Sequence, residues 1–139
     1  MGRFLALAIP LALVVLVGVD AGATALGWAP DTAPLAARGV GRPMALPLST
    51  ALLGATFEAV ALVALFLLVE GRSGSPLFDG VAAGLAAWLF SGPMLVFTIA
   101  SLTRLPTAPF WQGARVGLIA LPVAGAALGW LAKRRQPSA

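Results

Sequence analysis

The chain has 139 residues, of which 60% are hydrophobic and only 10% charged, with a mean hydropathy of +0.97; this excludes an ordinary soluble domain and points to an integral membrane protein. Cysteine and histidine are both missing, which removes the usual ligands of zinc, copper, haem and iron–sulfur clusters, so neither a metal site nor a cofactor is expected. The net charge of +4 comes from basic residues scattered over the ends of apolar stretches rather than along one face, as headgroup anchors are, and nucleic acid is not an expected partner.

The first apolar stretch predicts a span from Phe4 to Leu26, closed by Gly27, Trp28 and Pro30. Its early part, a basic residue followed by an apolar run and then small residues at Ala21, Gly22 and Ala23, also fits a secretory signal peptide; a retained helix is the expectation. From Gly27 to Pro43 the prolines 30, 34 and 43 and the glycines 39 and 41 predict an interfacial loop. Within it Asp31 can cap a short helix running through Pro34 to Arg38 that Gly39 closes.

The second span is predicted from Ala45 to Val69 and is followed by a hydrophilic link that reaches Asp79. A third runs from Gly80 to Leu102 without a charged side chain, and a fourth from Ala114 to Ala132, ahead of Lys133, Arg134 and Arg135. Each is long enough, at ~1.5 Å per helical residue, to cross or nearly cross a ~30 Å hydrocarbon layer. Trp28, Trp111 and Trp130 fall at segment ends, where an indole ring places its N–H among headgroups, whereas Trp88 falls inside the third span and reads as a packing residue.

The predicted fold is therefore an all-α integral membrane protein: one domain over residues 1–139, a bundle of four transmembrane helices with short connections and a Pro/Gly-rich interfacial loop after the first. The amino end, the 70–79 link and the tail share one side and carry Arg3, Arg72, Lys133, Arg134 and Arg135; the other side carries Arg38, Arg42, Arg104 and Arg115. Five against four is a weak bias, and the Lys-Arg-Arg cluster against the last span places both termini in the cytoplasm of a multi-pass cell-membrane protein. Arg38, Arg42, Arg104, Lys133, Arg134 and Arg135 are the expected lipid-headgroup contacts.

Glu58 is the one charge inside the Ala45 to Val69 run, and it lies near the middle of that run. A carboxylate near mid-bilayer is expensive unless it is protonated, paired, wetted or turned against other helices. Glu58 shares its helical stripe with Gly54, Ala55, Ala61 and Leu62, and one turn further with Thr50, so this mostly small face is expected to look inward. Ser91 falls at about the same depth in the third span, with Gly80, Ala83, Gly84 and Ala87 along its face, and a Glu58 to Ser91 hydrogen bond is expected. Pro10, Pro93 and Pro122 each free a backbone carbonyl near mid-span and, with Glu58, suggest a central polar pocket.

The last span repeats glycine at four-residue spacing, at Gly113, Gly117, Gly125 and Gly129 with Leu121 in the missing place, a pattern for close helix approach. Gly54 and Gly84 are the corresponding packing candidates in the second and third spans. Asp20 and Asp31 are a second pair of acidic candidates, the only ones that would suit an acid-pair hydrolase, although no catalytic residue is assigned.

Three functions fit these residues. The first is a structural or accessory subunit packing on a membrane partner, either another membrane protein or a second copy of this chain in a homo-oligomer. The second is a small proton- or ion-coupled transporter with Glu58 as its membrane carboxylate and Ser91 and Thr50 beside it. The third is an enzyme acting on lipid through Asp20 and Asp31.

Overall fold

The computed structural model describes residues 2–28, 30, 33–38 and 48–135. Among the described residues the chain is helical throughout: α1 (Gly2–Ala25), α2 (Ala33–Ala36), α3 (Leu48–Val69), α4 (Pro76–Ser91), α5 (Pro93–Leu102) and α6 (Ala108–Lys133). Four stretches are long and apolar enough to cross a membrane: α1, the described part of α3 from Leu52, α4 with α5, and α6. Large apolar side chains such as Leu7, Val14, Phe57, Leu68, Phe97 and Leu102 point outward, a surface suited to lipid rather than to water.

Two predicted limits are corrected. The third span begins at Pro76 rather than Gly80, and the fourth at Ala108 rather than Ala114, which makes α6 26 residues long. In both cases a proline at the start of the helix sets the boundary, and the charges Asp79 and Arg115 are carried inside the helical turns that follow. The third span is also not one helix. Pro93 brings no N–H to the ladder, so α4 ends at Ser91, Gly92 adopts φ −98° and ψ −93°, and α5 starts afresh. Pro10 and Pro122, by contrast, lie within continuous helices. The short helix in the first loop is α2; its expected cap Asp31 and stop Gly39 lie outside the described residues, as do Ala45 to Pro47 of the second predicted span.

α4 and α6 make the tightest pairing, and they run antiparallel. A Cβ placed on Gly80 would land on the Gly125 carbonyl oxygen, one on Gly84 on that of Leu121, and one on Gly129 on that of Pro76. Further along the same contact, a Cβ on Gly117 would meet Trp88 Cδ1 at 3.5 Å, and the Trp88 indole Nε1–H donates to the Ala114 carbonyl at 2.7 Å. Residues four apart on α4 thus face residues four apart on α6. With no side chain between them the two backbones touch, and dispersion contacts replace the hydrophobic drive that lipid does not supply.

The other helices pack around this pair. α1 lies on α3 and α6, and α3 also packs on α4. α1 presents Phe4, Ala8, Ala12 and Leu16, and α3 presents Ala59, Leu62, Val63 and Phe66, each set on one helical stripe and almost fully covered. Phe4 near the start of α1 meets Phe66 near the end of α3, ring centroids 6.1 Å apart, so these helices are antiparallel too. Arg135 stacks over the Phe4 ring and Arg134 over Trp130, which brings the described end of α6 beside the start of α1.

Gly84 and Gly54 test this packing from opposite directions. Gly84→Leu is expected to lose on the order of 3 kcal/mol or more, because the new side chain meets backbone that cannot yield. Gly54 has nothing near the place of a Cβ, and Gly54→Ala should be neutral or stabilising by about 0.5–1 kcal/mol through helix propensity. Thermal unfolding of both variants in one detergent compares them; equal losses would contradict the packing.

Candidate functional site

Glu58 lies halfway along α3, but its side chain is exposed. The expectation of an inward stripe is corrected: Gly54 and Ala61 are exposed with it, Ala55 is half-buried, and of that set Leu62 alone is buried. The physical reason is the shape of the neighbours. α1 and α4 close on the Ala59, Leu62, Val63 and Phe66 side, where larger side chains fill the gap between helices that are not in backbone contact.

The nearest chemistry to Glu58 is acidic. Asp20 on α1 lies within electrostatic reach of it, and Asp20 too is exposed. Helical side chains lean toward the amino end of their own helix, so Glu58 on the antiparallel α3 leans toward the end of α1 that carries Asp20. Asp20 falls on the packed side of α1 between Leu16 and Ala23, at a level where the neighbouring helix leaves it uncovered. No lysine or arginine among the described residues pairs with either carboxylate. Asp20 and Glu58 are therefore two exposed acids on neighbouring helices within electrostatic reach of each other, an acid pair in that sense, which sequence spacing could not show because it crosses two helices.

The other predicted partners do not gather there. Ser91 ends α4 with its side chain exposed, and among the described residues no hydrogen bond joins it to Glu58. Thr50 sits in the first turn of α3, and its side chain is outside what the structure describes, as are Asp31 and Arg42. Asp20 thus has Glu58 as its described acidic neighbour. Pro10 and Glu58 are both exposed, so among the described residues the three prolines and Glu58 do not gather around one central polar pocket; this expectation is corrected. Of the glycine candidates, Gly84, Gly125 and Gly129 lie in that contact with Gly80, Gly117 touches Trp88, Gly113 has only the Pro30 ring at 3.9 Å, and Gly54 faces open space.

The expected headgroup contacts fall at the two ends of the helices. Lys133, Arg134 and Arg135 are exposed at one end. Arg38 and Arg104 are exposed at the other, where the Arg38 guanidinium donates to the Arg104 carbonyl and ties the first loop to the 103–107 connection.

One buried charge escaped the sequence reading. Asp79, which looks like part of a hydrophilic link, sits in the first turns of α4 and is only 2% exposed. The Gly71 N–H donates to its Oδ2 at 2.8 Å and the Ser73 N–H to its Oδ1 at 3.1 Å. Gly71 holds φ +84°, a conformation that an L side chain rarely adopts, and this aims the loop amides at the carboxylate. The signal in the sequence was Gly71 and Gly74 bracketing a serine, followed by Ser-Pro and then an acid within one turn. Asp79 locks the α3/α4 turn and is a structural rather than a chemical residue.

Among the described residues no group of three or more acids could hold a metal ion. Comparison of the chain with protein-family models, with curated proteins and with solved structures finds no match.

Asp79→Asn keeps the shape but replaces one acceptor by an amide that confronts a backbone N–H. The 70–75 turn should then open more often, and trypsin should cut after Arg72 several-fold faster than in the parent chain. An unchanged cutting rate would contradict the turn-locking role.

Proposed function

We propose that this chain is a multi-pass accessory subunit of the cell membrane, its four spans forming one bundle, that docks on a second membrane protein through the α1/α3 face carrying Asp20 and Glu58. The observation that carries this reading is the outward position of both acids. An acidic side chain near the centre of a span costs about 2.5–3.5 kcal/mol on insertion scales, and two neighbouring ones repel. A lysine or arginine at the same depth on a partner helix removes both penalties, and attraction of this kind also fixes register and orientation. The face around the acids is small and smooth, with Gly54 and Ala61 beside Glu58, which lets a foreign helix come close.

A different membrane protein suits this face better than a second copy. Among the described residues α1, α3, α4 and α5 carry no basic side chain deeper than their first turn, and Arg115 of α6 faces a different groove. The cationic ends of the helices support a cytoplasmic location for both termini, with Lys133, Arg134 and Arg135 against the last span. Proton-coupled transport is the second reading, favoured by the same acid pair, since two carboxylates in reach of each other can hold a proton or a cation between them.

Purification of the tagged chain in mild detergent from its native membrane, with partner stoichiometry read by mass spectrometry, separates the two. Glu58→Lys is expected to abolish a stoichiometric association and Glu58→Gln to weaken it about thirtyfold or more, as loss of one member of a desolvated ion pair does. The chain alone in proteoliposomes should move no solute against a proton gradient. Retention of the partner by Glu58→Lys, or uptake by the chain alone that Glu58→Gln abolishes, would overturn the subunit reading.

A further inference from the structure

A cavity of about 430 Å³ opens between the carboxyl end of α1 and the amino-terminal half of α6, lined by Gly27, Trp28, Gln112, Arg115, Val116 and Ile119. Its volume is in the ~300–1,000 Å³ range of small-molecule sites. We propose that it binds one phospholipid with a net negative headgroup.

The lining is ordered by depth. Gln112, Arg115, Val116 and Ile119 share one face of α6, with 112/116 and 115/119 four apart, so Gln112 lies nearest the helix start, Arg115 and Val116 side by side about one turn deeper, and Ile119 about one turn deeper again. The helix start belongs to the end of the molecule where α1 stops and the 103–107 connection turns; Gln112 is at headgroup level, the long Arg115 side chain leans back toward that level, and Ile119 reaches toward the hydrocarbon. An amphiphile has the same polarity along its length. The guanidinium offers a planar fork of donors that matches phosphate oxygens, and the aliphatic floor suits an acyl chain.

The opposite wall is held in place by the chain's own hydrogen bonds. The Trp28 N–H donates to the Ala23 carbonyl at 2.8 Å and the Gly27 N–H to that of Thr24 at 3.0 Å, a helix stop that needs the positive φ of +74° at Gly27. This fixes where Trp28 leaves α1, and its exposed indole is placed at the cavity mouth, the level that tryptophan favours at a membrane surface. Arg38 and Arg104, joined at the same end of the molecule, add positive potential that favours an anionic over a zwitterionic headgroup. The site is independent of the docking role proposed above, because neither Asp20 nor Glu58 is among the residues that line it.

The test is native mass spectrometry of the full chain in detergent, titrated with phosphatidylglycerol and, separately, with phosphatidylcholine. One phosphatidylglycerol should bind more tightly than the rest and more tightly than phosphatidylcholine. Arg115→Gln should weaken that first binding about tenfold, whereas Arg72→Gln, which removes the same charge from an exposed position at the opposite end, should leave it unchanged. Ile119→Trp, which keeps the guanidinium but fills the floor at an exposed position, should weaken it comparably. Glycerol phosphate, the headgroup without its chains, should not displace the lipid at equal concentration. Equal effects of the two arginine variants, equal binding of the two lipids, an unaffected Ile119→Trp, or displacement by glycerol phosphate would each overturn the proposal.

Discussion

Backbone contact between α4 and α6 is the constraint on which the rest of the structure depends. It exists only because Gly80 and Gly84 face Gly125 and Gly129, so that no Cβ stands between the two chains. In lipid there is little hydrophobic gain in bringing two apolar helices together, and close packing must supply the attraction. The contact runs on through Trp88, whose indole reaches the Ala114 carbonyl, and it stops at Gly92, where the third span breaks and α5 leaves at its own angle. Among the described residues the acids Asp20 and Glu58 are exposed on α1 and α3, and the basic side chains Arg38, Arg104, Lys133, Arg134 and Arg135 are exposed at the helix ends.

The two ends of the helices differ in what is described of them. At one, the α3/α4 turn is six residues long, clamped by Asp79, and the basic tail stacks on Phe4 and Trp130. At the other, Arg38 ties the described part of the first loop to the 103–107 connection, and a cavity lined in part by Trp28 opens between α1 and α6. The acid pair belongs to neither end. It lies partway down an outer face, where lipid alone would be a poor neighbour for it.

The four span-length stretches were legible because sustained hydropathy needs no knowledge of neighbours. Their limits were less so, since Asp79 and Arg115 look like boundaries in a sequence, while a helix can carry a charge in its early turns when a loop amide or a cavity receives it. The glycine row of α6 was visible, as was the Gly80 and Gly84 face of α4; that they meet each other is a three-dimensional fact. Glu58 is the odd charge of its run, but the direction of its side chain was not legible. α3 is apolar on every side, so no contrast between a polar and an apolar stripe marks which face is covered, and small residues beside an acid served as a poor substitute. Asp20 as its neighbour depends on the antiparallel register of α1 and α3, set by contacts such as Phe4 with Phe66.

The central claim is the antiparallel glycine register of α4 and α6, and magic-angle-spinning NMR of the chain in lipid bilayers, with glycine labelled at Cα in half of the molecule's glycines and at the carbonyl in the rest, reads it most directly. The account predicts dipolar cross-peaks between Gly80 and Gly125, since a Cβ on either would land on the other's carbonyl oxygen. Absence of those cross-peaks, in spectra where the Gly80–Gly84 and Gly125–Gly129 contacts within each helix are resolved, would contradict it.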